Sequence, residues 1–468
     1  SKKIMVEIQE NKPMLVIVLL GSFACMLNQN VISPLLPVIM AEFSVSAEMV
    51  QWLTTVYMLV SAIMIPITAF LLERYSLRNL FIISMWSFML GSLLLAWSPY
   101  FYVTLLGRVF QAISAGIILP LVQTMMLLSF PKERRGAAMG MVGLLLAFAP
   151  VAGPGFAGWM ADGVGWHYLF LIISILAAGV LLGAIVFIKS TETNRERKLD
   201  VFSVISSSLG FGGMLYGFSI APERGWVDIL TLSSLGAGAI FLFIFTRRQL
   251  NLDLPFLELR VFNHRQYTLA VILGMITYIS MTSAMVIFPV FVQGVCKYSA
   301  TTSGLLMMPG AIALGVLNPL SGKLFDRYGP RTISITGFSL ITAGSIGFCF
   351  LYAEISLFLL GFLLTLRMAG IGLVLMPLVT WGMNSLDDKL MAHGVSVFNT
   401  SRYVAGSIGT AALVTVIGLV TNSQTAALGE TAATISGINA AGVISAILGF
   451  ACLLLTFFHV KSVALKEE

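Results

Sequence analysis

Apolar stretches of about twenty residues, each long enough to cross the hydrocarbon core of a bilayer as a helix, recur along almost the whole chain. They predict spans near 14–39, 49–72, 79–97, 101–129, 136–161, 166–188, 201–220, 229–246, 267–292, 301–324, 332–352, 355–382, 393–420 and 437–460, fourteen in all. Several carry Gly and Pro, which membrane helices tolerate for close packing and controlled bending. The first run is too long for the core of a secretory signal and contains Asn28, Asn30, Pro34 and Pro37, so it predicts a retained first helix. The stretch 421–436, with Thr, Ala, Gly and one Glu, predicts a mobile loop.

Polar positions between the runs are sorted by charge. One set of loops holds Lys2, Lys3, Lys12, Arg74, Arg78, Lys132, Arg134, Arg135, Lys189, Arg195, Arg197, Lys198, Arg247, Arg248, Arg260 and Arg265. The same set continues with Lys323, Arg327, Arg331, Lys389, Lys461 and Lys466, while the alternate loops hold only Arg224 and Lys297. Basic loops stay cytoplasmic, so both termini are expected inside and the number of spans must be even. Composition agrees: 10% of residues are charged, 58% are apolar and the mean hydropathy is +0.94. A soluble domain needs about a quarter of its residues charged, so this surface must face lipid, in an all-α polytopic fold. The net charge of +6 lies in short loops, which argues against a nucleic-acid partner.

The segment Pro66-Ile-Thr-Ala-Phe-Leu-Leu-Glu-Arg-Tyr-Ser-Leu-Arg78 recurs as Pro319-Leu-Ser-Gly-Lys-Leu-Phe-Asp-Arg-Tyr-Gly-Pro-Arg331. Glu73 meets Asp326, Arg74 meets Arg327 and Arg78 meets Arg331, each copy lying in a basic loop after a span. The duplication predicts two similar helical bundles related by an axis along the membrane normal. The chain then divides into an N-terminus (1–13), a six-helix bundle (14–188), a linker with two extra spans (189–266), a second six-helix bundle (267–460) and a C-terminus (461–468).

The paired loop resembles motif A of the major facilitator superfamily, and the 6 + 2 + 6 plan resembles its fourteen-helix drug:proton antiporter branch, the EmrB/QacA-like multidrug exporters. Leu27 to Pro37 is similar to that branch's first-helix motif, and Gln51-Trp52 with Tyr57 and Pro66 to its second helix. Gly107-Arg108-Val-Phe-Gln111-Ala112 resembles motif B, and Gly153-Pro154-Gly155-x-x-Gly158 the antiporter motif C. Pro255 to Phe262 and Asn399-x-x-Arg402 resemble later signatures of the branch. The resemblance implies a bacterial inner-membrane exporter of hydrophobic or amphipathic small molecules, working by alternating access and driven by the proton gradient without a bound cofactor. It implies a gating role for Glu73, Arg74, Arg78, Asp326, Arg327 and Arg331. For Gly153, Pro154 and Gly158 it implies a seal on the cytoplasmic side, and for Arg108 a part in proton movement. Ala69, Ser76 and Leu77 depart from motif A, so the first copy is expected to latch more weakly than the second.

Arg108, Arg367 and Arg402 fall inside spans, where an Arg costs at least about 2.5–3.5 kcal/mol at mid-helix and usually faces a cavity or a partner. No Asp or Glu lies deep in a span, and the branch's first-helix acid aligns with Asn28, which cannot titrate. Three readings of Asn28 stay open: an engineered neutral stand-in for a protonated Asp, a natural residue with coupling through end-of-span acids such as Glu48 or Asp162, or transport without protons. The expected substrate and proton pathway is lined by Asn28, Asn30, Gln51, Trp52, Tyr57, Arg108, Gln123, Asn318, Arg367, Asn399 and Arg402. Arg without carboxylate there suits an anionic or zwitterionic ligand at least as well as a cation, so an exporter or flippase of an anionic lipid or metabolite is the alternative. Met125, Met126, Met307, Met308 and Met376 could add adaptable apolar contact. The four cysteines and four histidines show no metal spacing, and His167, His264, His393 and His459 lie at span ends, with His393 opening the thirteenth span. No Walker loop, nucleophile elbow or zinc-protease motif supports an enzyme. A monomer is expected.

Overall fold

The computed structural model describes residues 11–190 and 196–461; Lys2, Lys3, Arg195 and Lys466 lie outside them. The described residues form no strand and contain fourteen helices long and apolar enough to cross a membrane. In chain order they are α1 (Lys12–Phe43), α2 (Ala47–Arg74), α3 (Leu77–Trp97), α4 (Phe101–Ser129), α5 (Lys132–Gly163), α6 (Trp166–Phe187) and α7 (Val201–Arg224). Then follow α8 (Ile229–Asn251), α9 (Arg265–Val295), α10 (Thr302–Tyr328), α11 (Pro330–Phe350), α12 (Leu357–Met383), α13 (Asp388–Leu428) and α14 (Glu430–His459). Each matches one apolar run.

Local chemistry sets the ends. Ser46, Ser76, Ser299 and Ser356 accept a hydrogen bond from the amide three residues on, at the N-termini of α2, α3, α10 and α12. Gly165, Gly225 and Gly429 take positive φ at the joints into α6, after α7 and into α14. In α1, Pro34 and Pro37 interrupt the ladder, leaving a 3₁₀ turn over Ser33–Leu35. The stretch 421–436 corrects the expectation of a loop: helix runs through it, broken only at Gly429. Its Ala and Thr residues carry no apolar signal but are compatible with helix, and α13 and α14 hold one another there, Gly437 lying against the Ile417 carbonyl.

Helices α1–α6 and α9–α14 form two six-helix bundles, with α4 buried along almost its whole length. The bundles meet chiefly along α5 with α10 and along α2 with α13. The inserted helices pack tightly on each other, with Gly210, Gly213 and Gly217 of α7 against Leu242, Gly238 and Leu235 of α8. Their basic ends are tied by Arg248, whose two hydrogen bonds to Asp200 (2.7 and 3.0 Å) hold that carboxyl below the usual carboxylate range. Helix α7 lies over the seam: Tyr216 stacks on Trp52 of α2, and Trp226, just past its end, donates to Thr415 Oγ1 of α13 at 2.8 Å. Large apolar side chains such as Phe358, Val186, Phe243 and Phe458 point outward, as a lipid-facing wall requires.

Candidate functional site

The end of the molecule bearing the two Arg-Tyr loops, here the basic end, is where the bundles lock. Both copies of the repeat work in the same way. Arg78 Nη2 donates to the Ile185 carbonyl at the end of α6 (2.9 Å), and Arg331 Nη1 to the Val460 carbonyl just past α14 (3.4 Å). Arg74 and Arg327 each lie over the following tyrosine, at 5.3 and 5.1 Å. These basic residues thus stay within their own half of the molecule, while the acids reach across.

Asp326 accepts from the backbone amides of Gly136 (2.9 Å) and Ala137 (2.8 Å), capping the start of α5 in the other bundle. Glu73 reaches the start of α13, where its Oε1 meets His393 Nε2, and its Oε2 pairs with Arg197 Nε at 2.7 Å. Arg135 adds a third crossing, to Asn384 Oδ1 (3.2 Å) and Asp388 Oδ1 (3.3 Å).

Between these crossings α5 and α10 touch backbone to backbone. A Cβ placed on Gly322 would sit 2.1 Å from the Gly136 carbonyl oxygen, and one on Gly140 would sit 2.9 Å from the Asn318 carbonyl. The seal therefore uses Gly136, Gly140 and Gly143 rather than the motif C glycines. Gly153 packs on α1 within its own bundle, Pro154 is half-buried, and nothing lies within 4 Å of a Cβ built on Gly155 or Gly158. That corrects the expectation that Gly153, Pro154 and Gly158 form the contact between the bundles that seals the cytoplasmic side. The i, i+4, i+7 spacing of Gly136, Gly140 and Gly143, which puts small residues on one helix face, was a signal the sequence carried.

Towards the middle, two buried amides pin the bundles. Asn399 Nδ2 donates to Gln123 Oε1 at 2.6 Å, and Asn318 Nδ2 donates to the Gly143 carbonyl at 3.3 Å. Arg402 Nη2 donates to Asn399 Oδ1, and its guanidinium lies over Tyr278 and Phe398. Replacing Gln123 by Ala leaves one N–H of the Asn399 amide without its partner across the seam, the other still donating to the Val395 carbonyl, which costs about 1–3 kcal/mol. The prediction is faster amide hydrogen exchange at the basic ends of α4 and α13 than in the parent.

Beyond the pins lies a cavity of about 20 Å³, lined by Met26, Gln29, Tyr57, Met58, Ser61 and Tyr403 among others. It has room for a water but not for a drug-sized molecule. Arg108 is buried beside it, over the Tyr57 ring at 4.1 Å, donating to the Leu53 carbonyl and Gln111 Oε1. Gln111, in the sequence one residue of the motif B resemblance, is held by Ser92 and in turn holds Arg108. Asn28 is fully buried facing the Tyr57 hydroxyl, and Asn30 donates to the Met26 carbonyl of its own helix.

Three expected pathway residues are placed elsewhere. Gln51 is exposed at the far end of α2. Trp52 is turned to Tyr216 of α7, because the inserted helix offers it a stacking partner. Arg367 is enclosed within the second bundle by Ser280, Ser283 and Phe348, beside a separate cavity of about 30 Å³. Among the described residues, Arg108, Arg367 and Arg402 form no ion pair with a carboxylate.

The hydrogen bonds and ion pairs joining the two bundles, among the described residues, lie between this middle layer and the basic end. The sequence profile of the Major Facilitator Superfamily matches residues 18–410. The chain belongs to that superfamily. It is 41% identical over 444 residues to the uncharacterized MFS-type transporter YcnB of Bacillus subtilis, covering 94% of this chain and 93% of that protein. It is 34% identical over 407 residues to the lincomycin resistance protein LmrB of the same organism, covering 86% and 85%. The human organic anion transporter MFSD10 shares the fold, with a TM-score of 0.67 at 13% identity over 94% of this chain and 99% of that one. This major facilitator protein is thus a multi-pass membrane transporter and not an enzyme.

Proposed function

We propose that the protein is a secondary active exporter of hydrophobic or amphipathic small molecules. It works by alternating access in a bacterial cell membrane, with the basic end towards the cytoplasm. The observation that carries this reading is the one-sided lock: acids of the repeated loops bridge the bundles at one end, while a small, largely apolar, Met-containing pocket sits towards the middle. With basic loops inside, the conformation described is closed to the cytoplasm. The names of the lincomycin and multidrug resistance relatives support that substrate class. Proton antiport is the proposed coupling, and Asn28 then makes the chain depend on groups other than a first-helix carboxylate.

The test is transport by purified protein in proteoliposomes, with lincomycin and amphipathic dyes as substrates, with and without an imposed pH gradient. Gradient-driven accumulation supports antiport; equal rates with and without the gradient overturn it. Asn28→Asp sharpens the test. A carboxylate facing Tyr57 in this buried layer gains a titratable group, so dependence on the gradient should rise at least severalfold over the parent. An unchanged gradient dependence would remove the first helix from coupling. A second reading, export of an anionic lipid or metabolite, draws on the buried Arg108 and Arg402, which among the described residues have no carboxylate partner. Competition by anionic rather than cationic amphiphiles would favour it.

A further inference from the structure

Arg367 lies near the middle of α12, almost fully buried inside the second bundle and away from the seam. Two of its guanidinium nitrogens are held by α9. Nε donates to Ser280 Oγ at 2.8 Å, and Nη2 donates to the Ser280 carbonyl at 3.0 Å and to Ser283 Oγ at 3.5 Å. Nη1 has no partner among the described residues, and the side chain lines the cavity of about 30 Å³ between α9, α11, α12 and α14. A second donor stands unpartnered nearby. Ser345 Oγ of α11 is buried and makes no hydrogen bond among the described residues. At helical spacing from both Ile341 and Phe348, it shares their face of α11, and those two residues line neighbouring cavities that have Ser445 of α14 in common.

The charge cannot be balanced from within these helices. Together α9, α11, α12 and α14 carry a single carboxylate, Glu430, which is exposed at the first residue of α14. The serine oxygens and the carbonyl solvate the guanidinium but bring no negative charge. A buried cation is costly unless it is paired and its hydrogen-bonding capacity filled, and here one nitrogen faces open space.

We propose that this cavity binds a small monovalent anion, chloride or an ion of its size, held by Arg367 Nη1 and the Ser345 hydroxyl as a fixed counter-charge within the second bundle. The size fits. About 30 Å³ exceeds the roughly 10–15 Å³ that one water needs, yet leaves no room for an amphiphile. Phe288, Phe291, Leu364 and Ile438 make the rest of the lining apolar, so the charge-assisted bond to the guanidinium is strengthened by its low-dielectric surroundings. Leu351 and Ile438 place the site towards the end opposite the basic loops. Because all four helices belong to one bundle, the ion does not bridge the seam, and the inference depends on neither the substrate nor the driving ion. An anion that binds the folded bundle and not the unfolded chain stabilises the fold by mass action.

The experiment measures thermal unfolding of the full chain in detergent as chloride replaces gluconate, an anion too large for the cavity, at constant ionic strength. The Tm of the parent should rise saturably with chloride, by about 2–4 °C, and bromide should act in the same way. Arg367→Gln removes the charge and should abolish the rise. Ala441→Leu decides the matter if Arg367→Gln does not fold: it keeps the arginine, fills the cavity from α14 and should abolish the rise as well. Crystals grown in bromide should show an anomalous peak beside Arg367 Nη1. A parent Tm indifferent to chloride overturns the proposal and leaves water alone in the cavity. A rise of parental size in either variant, or bromide crystals without a peak at Arg367, overturns it equally.

Discussion

Replacing Gly322 by valine is expected to cut transport by about 10- to 100-fold and to leave the basic end open. A Cβ there would stand 2.1 Å from the Gly136 carbonyl oxygen, and the obstacle is backbone of another helix, which cannot rotate aside. Relief requires α5 and α10 to separate. Overpacking of this kind costs about 1–3 kcal/mol, and each 1.4 kcal/mol or so is tenfold in an equilibrium, so the closed state becomes the minor one. Because the strain exists only with the gate shut, the open state keeps its stability. Thiol-reactive reagents should therefore modify a cysteine introduced at Ser396, fully buried with the gate shut, faster than the same cysteine in the parent background, while the protein remains monodisperse in detergent. Parent-like transport would mean that this contact does not form during the cycle.

The second large effect is expected at Arg108. Its guanidinium is almost fully buried, stacked over Tyr57 and bonded to the Leu53 carbonyl and Gln111. It has no carboxylate partner among the described residues. A charge held this way costs the fold about 2.5–3.5 kcal/mol or more, so its presence points to use rather than to stability. Arg108→Met, which keeps the length and removes the charge, should leave thermal stability equal or higher. Transport should fall by about 10- to 100-fold, in line with the roughly 1.5–3 kcal/mol carried by hydrogen bonds to charged groups. A variant that loses stability and transport together would show instead that Arg108 is a structural tie between α2 and α4.

How much of this was legible beforehand differs by element. The fourteen spans follow from hydropathy because a helix in lipid must satisfy its backbone within itself. The exception was 421–436, where helix persists on mutual packing of α13 and α14, which no single-segment signal reports. The repeat exposed Glu73 and Asp326 as a matched pair, yet gave neither partner. Asp326 finds backbone amides, which have no side-chain signature, and Glu73 finds a histidine 320 residues away. The expectation that the first copy latches more weakly came from its missing glycines. In the structure that copy is supported by Arg197 and His393, both outside the motif.

Residues of the central layer were recognised by polarity, which does not say which way a side chain turns. Gln123, Asn318, Asn399 and Arg402 do meet across or beside the seam, because buried amides seek partners wherever backbone approaches. Arg367 and Trp52 have equal chemical claim but satisfy themselves elsewhere, on two serines and on the inserted helix. The same inserted helix explains why α7 and α8 fall outside the duplication: they cover one side of the seam instead of forming part of either bundle.

One reversible cross-link tests the alternating closure of the basic end most directly. Arg135 and Asp388 face each other across the seam at 3.3 Å. In a chain without its four native cysteines, Arg135→Cys and Asp388→Cys can be joined by a short bis-thiosulfonate and released by reductant. Transport should stop in proportion to the cross-linked fraction and return on reduction. Full transport by completely cross-linked protein would show that the two bundles need not part at that end, and would contradict the account.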